Sequence, residues 1–228
     1  MDLSEINEKL FPSTAITIFG LEVNESVVSG FFVTAFIILA AVIIRIFFIP
    51  KLSDVPGKMQ MFLEWIVGFF MGMSEDISDY KRNFLAAYTF GASAYICFGV
   101  LIELVGFRPA IADVNACLAL ALCTFLLINI LAIKRLGPLG RVKYYFKPVW
   151  FVFPVRIITD LAVPVSMTFR LFGSIVSGFI MMELIYIFCG WVLPVVLAPV
   201  FTLFHAFIQS YIFSSLSLTF VAEATELD

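Results

Sequence analysis

One arginine stands in the middle of a long apolar segment that runs from Asp160 to Tyr186. The guanidinium of Arg170 keeps its proton under ordinary conditions. Placing it at membrane depth costs about 3 kcal/mol on insertion scales and about 10 kcal/mol or more in simulations. No acidic residue stands three or four positions away to neutralise the charge. Such a costly side chain indicates a function, and we expect its counter-charge on another helix or another subunit.

The composition is typical of a polytopic membrane protein. Hydrophobic residues make up 62% of the chain and charged residues 14%, whereas soluble domains carry about 45–50% and about 25%. The sequence contains no phosphate-binding loop, no paired-carboxylate cluster and no Cys or His at metal-ligand spacing. We therefore predict no cofactor, no metal, no nucleic-acid partner and no catalytic centre within this chain.

Apolar runs predict the fold class, an all-α polytopic membrane protein. About 20 helical residues cross about 30 Å of hydrocarbon. The runs that are long enough are 27–49, 84–101, 114–133, 151–191 and 200–221. A short loop at 190–199 joins the last two, which we expect to form a long tilted hairpin. The segment 59–79 is short and ends in acidic residues, so we predict an interfacial amphipathic helix. Residues 1–26 are predicted as an external segment of a single membrane domain, 1–228.

Lys and Arg are distributed unevenly between the two sides of the predicted topology. Apart from Arg170, only Lys9 and Arg108 of the 14 Lys and Arg residues fall on the side of the amino terminus. All the others fall on the opposite side, and positively charged loops mark the cytoplasmic face. We therefore predict that the amino terminus is outside and the carboxyl terminus is cytoplasmic.

Three motifs in the second half of the chain resemble subunit a of F-type ATP synthases. Residues 170–173, RLFG, follow a proline at Pro164 and are similar to the family's RLFGN helix, with Ser174 in place of Asn. Residues 209–213, QSYIF, resemble the family's QAFIF in the last helix, and residues 112–115, followed by LALAL, resemble its "tADlNvTLaLAL" helix. Because the three motifs occur in the family's order in a chain of matching length, the resemblance is specific.

The resemblance implies the stator channel subunit of a rotary ATP synthase in a bacterial plasma membrane. Its partners would be a ring of c subunits, the peripheral-stalk b subunit, the rest of the complex and membrane lipid. The chain would be non-catalytic and would conduct H⁺ or Na⁺ through two half-channels. Arg170 would take the role of the essential arginine that faces the ring carboxylate.

Further polar residues are predicted along the proton pathway. Ser174 and Ser177 continue the polar stripe that carries Arg170 on one helix face. Asp160 matches an acidic position that is common in the family, near the cytoplasmic end, and it is equally compatible with a helix-end anion beside basic loops. The complete predicted set is Asp160, Ser174, Ser177, Glu183, His205 and Gln209.

Glu183 and His205 depart from the family's usual pattern. Many members carry an acidic or His residue nine places after the arginine, where this chain has Phe179, and another seven places before the glutamine, where it has Thr202. Glu183 and His205 each lie about one turn away, so we interpret them as displaced substitutes in the outer half of the membrane. The other interpretations are an interfacial anchor for Glu183 and a hydrogen-bonded packing residue for His205.

A different class of protein also places an arginine inside the membrane, namely a secondary transporter or channel with an anion site. Transporters typically show internal repeats and helices broken at corresponding positions in two halves. Neither feature is detectable in this sequence, so the channel subunit is the preferred interpretation.

The orientation can be tested by cysteine labelling. In a background without the four native cysteines, Lys143→Cys should react with a membrane-impermeant thiol reagent in inverted vesicles and not in intact cells. The reason is that Lys143 belongs to the basic, cytoplasmic side. Labelling from outside intact cells would refute the predicted orientation.

Overall fold

The computed structural model describes residues 15–18, 21–51, 57–77, 83–105, 108–146, 153–189 and 192–225. Within these ranges the chain forms six α-helices and one antiparallel pair of short strands. The strands are β1 (Ala15–Ile18) and β2 (Leu21–Asn24). The helices are α1 (Glu25–Ile43), α2 (Lys58–Ile77), α3 (Asn83–Leu101), α4 (Val114–Phe146), α5 (Phe153–Cys189) and α6 (Val192–Thr225).

In the described part of the chain, five helical segments are long and apolar enough to cross a membrane, which confirms the predicted class of an all-α polytopic membrane protein. They are Glu25–Phe47, Phe84–Val105, Val114–Gly137, Phe153–Gly178 and Leu197–Thr225. The chain is therefore a multi-pass membrane protein. Helix α2 is not one of these five candidate spans, and its interfacial position stays a prediction.

The helices exceed the predicted spans at two places. Helix α4 continues beyond the apolar run, which ends before Lys134, as far as Phe146. A break occurs inside it at Gly137, where φ is 75°, a conformation that glycine adopts without steric cost. Helix α6 begins at Val192, within the segment that was predicted as a loop, and continues through Pro199. A charged residue or a proline can therefore interrupt the apolar pattern of the sequence although the helix itself continues.

The sequence did not predict the strand pair. Ala15 pairs with Asn24 and Ile18 with Leu21. Several of its residues are β-branched, a type that favours strands. The pair immediately precedes α1 and lies within the segment predicted to be external.

Helix α6 is central to the bundle. It packs extensively against α3 and also against α4 and α5, while α4 and α5 pack extensively against each other. A first core cluster joins α3, α4, α5 and α6 and includes Ile96, Cys117, Met167, Leu171, Ala206 and Phe213. A second cluster includes Met73, Leu85, Ile128, Leu131, Leu218, Val221 and Ala224. Many large apolar side chains point outward instead, as expected where lipid is the solvent.

Buried hydroxyl groups link α3 to its neighbours. The Oγ atoms of Ser93 and Ser214 lie 2.6 Å apart, and Ser210 Oγ donates to Ser93 Oγ at 3.2 Å. The hydroxyl oxygens of Tyr88 and Thr124 lie 2.7 Å apart. Interhelical hydrogen bonds of this kind contribute about 0.6 kcal/mol each on average. None of the buried polar side chains among the described residues is charged.

We expect Ser93→Val to weaken the contact between α3 and α6. The substitution removes the hydroxyl that joins Ser210 and Ser214 and should lower the free energy of unfolding by about 1 kcal/mol, measured as a lower melting temperature in detergent. Thr219→Val is the matched control, because Thr219 is exposed and its hydroxyl bonds within its own helix. Equal melting temperatures for the two variants would contradict the prediction.

Candidate functional site

Arg170 lies at the outer surface of the helix bundle. Leu171 is 0% exposed and Met167 is 2% exposed, and both belong to the first core cluster, whereas Phe169 is 69% exposed. Arg170 follows Met167 by three positions and therefore lies at the edge of the core-facing side of α5, where it is exposed. Among the described residues it makes no hydrogen bond and no ion pair. Nothing in that part of the chain neutralises its charge.

The surface beside Arg170 is open and formed by small residues. A Cβ atom added to Gly173 or Gly178 meets no other atom within 4 Å. Ser177 is exposed, and Ser174 Oγ donates to a carbonyl of its own helix at 2.8 Å. Small residues four positions apart let another helix approach closely. Since no described helix of this chain occupies the space at these glycines, the small-residue surface is free to receive an element from outside the chain.

Helix α6 carries two buried nitrogen atoms that lack a hydrogen-bond partner among the described residues. They are Nε2 of His205 and Nε2 of Gln209. Gln209 is 4% exposed, and His205 is half-buried. The two residues are four positions apart and therefore share one helix face. A buried polar group without a partner costs about 1–3 kcal/mol, so stability does not explain these side chains.

Glu183 lies on the backbone of α5, thirteen residues after Arg170. At about 1.5 Å per residue this separation is about 20 Å along the helix axis. Its side chain lies outside the described part of the structure. The predicted pairing of Glu183 with His205 therefore stays a prediction.

Asp160 lines an open pocket near the beginning of α5. Residues of α4, α5 and α6 all contribute to its walls. Glu223, near the end of α6, lines the same pocket. From the sequence, Glu223 belongs only to an acidic carboxyl-terminal stretch. No sequence pattern could have paired it with Asp160, because the packing of α6 on α5 brings the two together.

Asp113, the last residue of the loop before α4, caps the amino-terminal end of that helix. Asp113 Oδ1 accepts a hydrogen bond from the backbone N–H of Asn115 at 3.0 Å. The Asp113 carbonyl accepts one from the N–H of Cys117 at 3.1 Å. Asp113 directly precedes Val114, the first residue of α4, and such a capping residue satisfies N–H groups that the first turn leaves free. The motif at 112–115 therefore has a helix-capping function in this chain.

Comparisons with known proteins agree on one family. The family model described as ATP synthase A chain matches residues 30–222. ATP synthase subunit a of Acidothermus cellulolyticus is 33% identical over 186 residues, which cover 76% of this chain and 67% of that protein. The subunit a of Actinobacillus pleuropneumoniae serotype 3 is 30% identical over 230 residues, with coverage of 84% and 87%. That of Moorella thermoacetica is 28% identical over 173 residues, with coverage of 75% and 79%.

Because Nε2 of Gln209 is buried without a partner among the described residues, replacing Gln209 should stabilise the protein, whereas replacing Ser93 should destabilise it. Gln209→Met keeps the length of the side chain and removes the buried nitrogen, so it should raise the free energy of unfolding by about 1 kcal/mol. The measurement is the melting temperature in detergent. Ser214→Val serves as the control on the same helix, and it should melt earlier because it removes a satisfied hydroxyl. A lower melting temperature for Gln209→Met would show that the amide is a stabilising group.

Proposed function

The chain belongs to the ATP synthase A chain family, and we propose that it is the stator channel subunit that passes ions to and from a rotating ring of c subunits. Membership makes it a multi-pass membrane component of the ATP synthase complex. In the proposal it is non-catalytic, and nucleotide chemistry takes place on other polypeptides of the complex. Ion flow through this chain drives that chemistry.

The observation that carries the proposal is the exposed Arg170 beside an open small-residue surface. A permanent cation at membrane depth is stable only next to an anion or water. A helix of the c ring that carries a carboxylate fits both requirements, because the glycines at 173 and 178 let it approach closely. The charge of Arg170 then favours the ionised form of that carboxyl group, which releases its proton.

The inlet is proposed to run from the outer side past Glu183 and His205 to Gln209. The unpartnered nitrogens of His205 and Gln209 support it, because a proton path needs polar groups whose hydrogen bonds can be exchanged. An imidazole can take up and release protons near neutral pH. The proton then neutralises the ring carboxylate, which can move through lipid in its uncharged form.

The outlet is proposed to lie at Asp160, on the inner side of Arg170. Asp160 is ten residues before Arg170, about 15 Å along α5, and it opens onto the pocket between α4, α5 and α6. Ser174 and Ser177 complete the polar stripe on the ring-facing surface. Because Arg170 stands between inlet and outlet and cannot lose its charge, it prevents direct proton flow between them.

The proposed partners and location follow from the same assignment. The partners are the c ring, the peripheral-stalk b subunit and the remaining complex, and the chain lies in a bacterial plasma membrane with the amino terminus outside. Relatives of bacterial origin support this location. Each charge that crosses contributes about 2.3 kcal/mol per 100 mV, so several ions per turn can drive the synthesis of ATP.

We expect Arg170→Ala to stop ATP-driven proton pumping while the complex still assembles, because none of the described residues relies on Arg170 for a hydrogen bond. The loss should be about a hundredfold or more, the scale of removing one preorganised charge, and passive proton leak should rise. Arg170→Lys should also fail, since a buried ammonium can lose its proton and a guanidinium cannot. Dye quenching in inverted vesicles measures both properties.

Arg45→Ala provides the matched control, because Arg45 is another exposed arginine, located just after α1. It should pump at nearly the wild-type rate. Near-normal pumping by Arg170→Ala would refute the proposed role and leave the transporter class to be considered in its place.

A further inference from the structure

Two carboxylates from different helices face one pocket. Asp160 of α5 and Glu223 of α6 both line it, together with apolar side chains such as Phe125 and Phe220. Asp160 is half-buried and Glu223 is exposed. The two residues therefore border one pocket from different helices.

This pocket lies at one end of the bundle, far from the unpartnered nitrogens of α6. Glu223 follows Gln209 by fourteen residues, which is about 21 Å along the axis of α6. Val163, which also lines the pocket, precedes Arg170 by seven residues, or about two turns, and so lies on nearly the same face of α5. The pocket thus adjoins the face of α5 that leads to Arg170.

The end of α6 is held firmly over this pocket. Val221 and Ala224 are buried in the second core cluster. Arg135 Nη1 of α4 donates to Thr225 Oγ1 at 3.3 Å. These contacts on both sides of Glu223 fix the helix, so the carboxylate is placed at the pocket by packing.

The helix dipole does not favour an acidic residue at this position. Glu223 lies near the carboxyl-terminal end of α6 as it is described, and this end of a helix carries partial negative charge. Glu223 has further interactions within the described structure, and it also lines the pocket.

We propose that Glu223 is a second proton carrier of the outlet, acting in parallel with Asp160. The inference rests on the proposed function. A proton released at the Arg170 face passes through water in the pocket to an oxygen of either carboxylate. It then leaves to the bulk water on that side, and the carboxylate is regenerated without any other reactant. Because both groups contact the same space, either one can sustain the transfer.

The experiment uses the whole complex in inverted vesicles and compares ATP-driven pumping of Asp160→Asn, Glu223→Gln and the double variant. Parallel carriers predict about a twofold to threefold loss for each single variant. They predict a loss of about tenfold or more, beyond the product of the singles, for the double variant. Glu64→Gln removes an exposed carboxylate on α2, outside the pocket, and is the charge-matched control.

Two further measurements separate proton transfer from a structural effect. Formate, a small weak acid, should restore part of the pumping of the double variant, and Glu223→Asp should pump almost normally. Co-purification of the c ring checks assembly. The inference would be overturned if the loss of pumping in the double variant equalled the product of the two single losses. It would also be overturned if formate did not restore any pumping of the double variant.

Arg170→Ala, assayed in the same vesicles, distinguishes the two levels of failure. If it abolishes pumping while the double variant pumps normally, only the role of Glu223 is wrong. If Arg170→Ala itself pumps normally, the proposed function is wrong and the inference falls with it.

Discussion

A charge that cannot be neutralised by deprotonation constrains this molecule more than any other feature. Inside hydrocarbon, Arg170 needs an anion or water, yet the described helices give it neither an ion pair nor a hydrogen bond. The neighbouring Met167 and Leu171 are among the most buried side chains of the core. The packing of α5 therefore leaves the arginine at the surface, where none of the described residues completes its surroundings.

The interior of the bundle follows the opposite rule. Where α3 meets α6 and α4, hydroxyl groups bond to one another or to carbonyls, as Ser93, Ser214 and Tyr88 do. The hydroxyl of Thr168 similarly donates to the carbonyl of Pro164 at 2.7 Å. Satisfied neutral groups hold the helices together. Against this background, three buried atoms of the described residues lack a hydrogen-bond partner: Ser26 Oγ near the start of α1 and the Nε2 atoms of His205 and Gln209. Only the two nitrogens share one helix face, and such exceptions are expected where function opposes stability.

The sequence predicted the features that depend on local patterns and missed those that depend on tertiary packing. Apolar length located the five candidate spans, because the bilayer fixes how many residues must cross it. It placed the end of the third span at residue 133, close to the Gly137 at which the candidate span ends. It did not predict the helical segment that follows the break at Gly137 and ends at Phe146, since hydrogen bonds within a helix do not require apolar side chains. The pocket shared by Asp160 and Glu223 could not be predicted, because no periodicity records which helix ends meet.

The arrangement also bears on why ions would not cross the chain directly. His205 and Glu223 are eighteen residues apart on α6, about 27 Å along its axis and close to the thickness of the hydrocarbon. Between them, buried Phe213 and Leu218 belong to the two core clusters, and the hydroxyls of Ser214 and Ser217 are already bonded. An ion following α6 would have to enter this apolar core. In the proposed function, ions instead pass over the exposed face of α5, where the permanent charge of Arg170 repels any cation that is not carried as a neutral acid. The apolar core between His205 and Glu223 is consistent with that proposal, because it offers no polar path along α6.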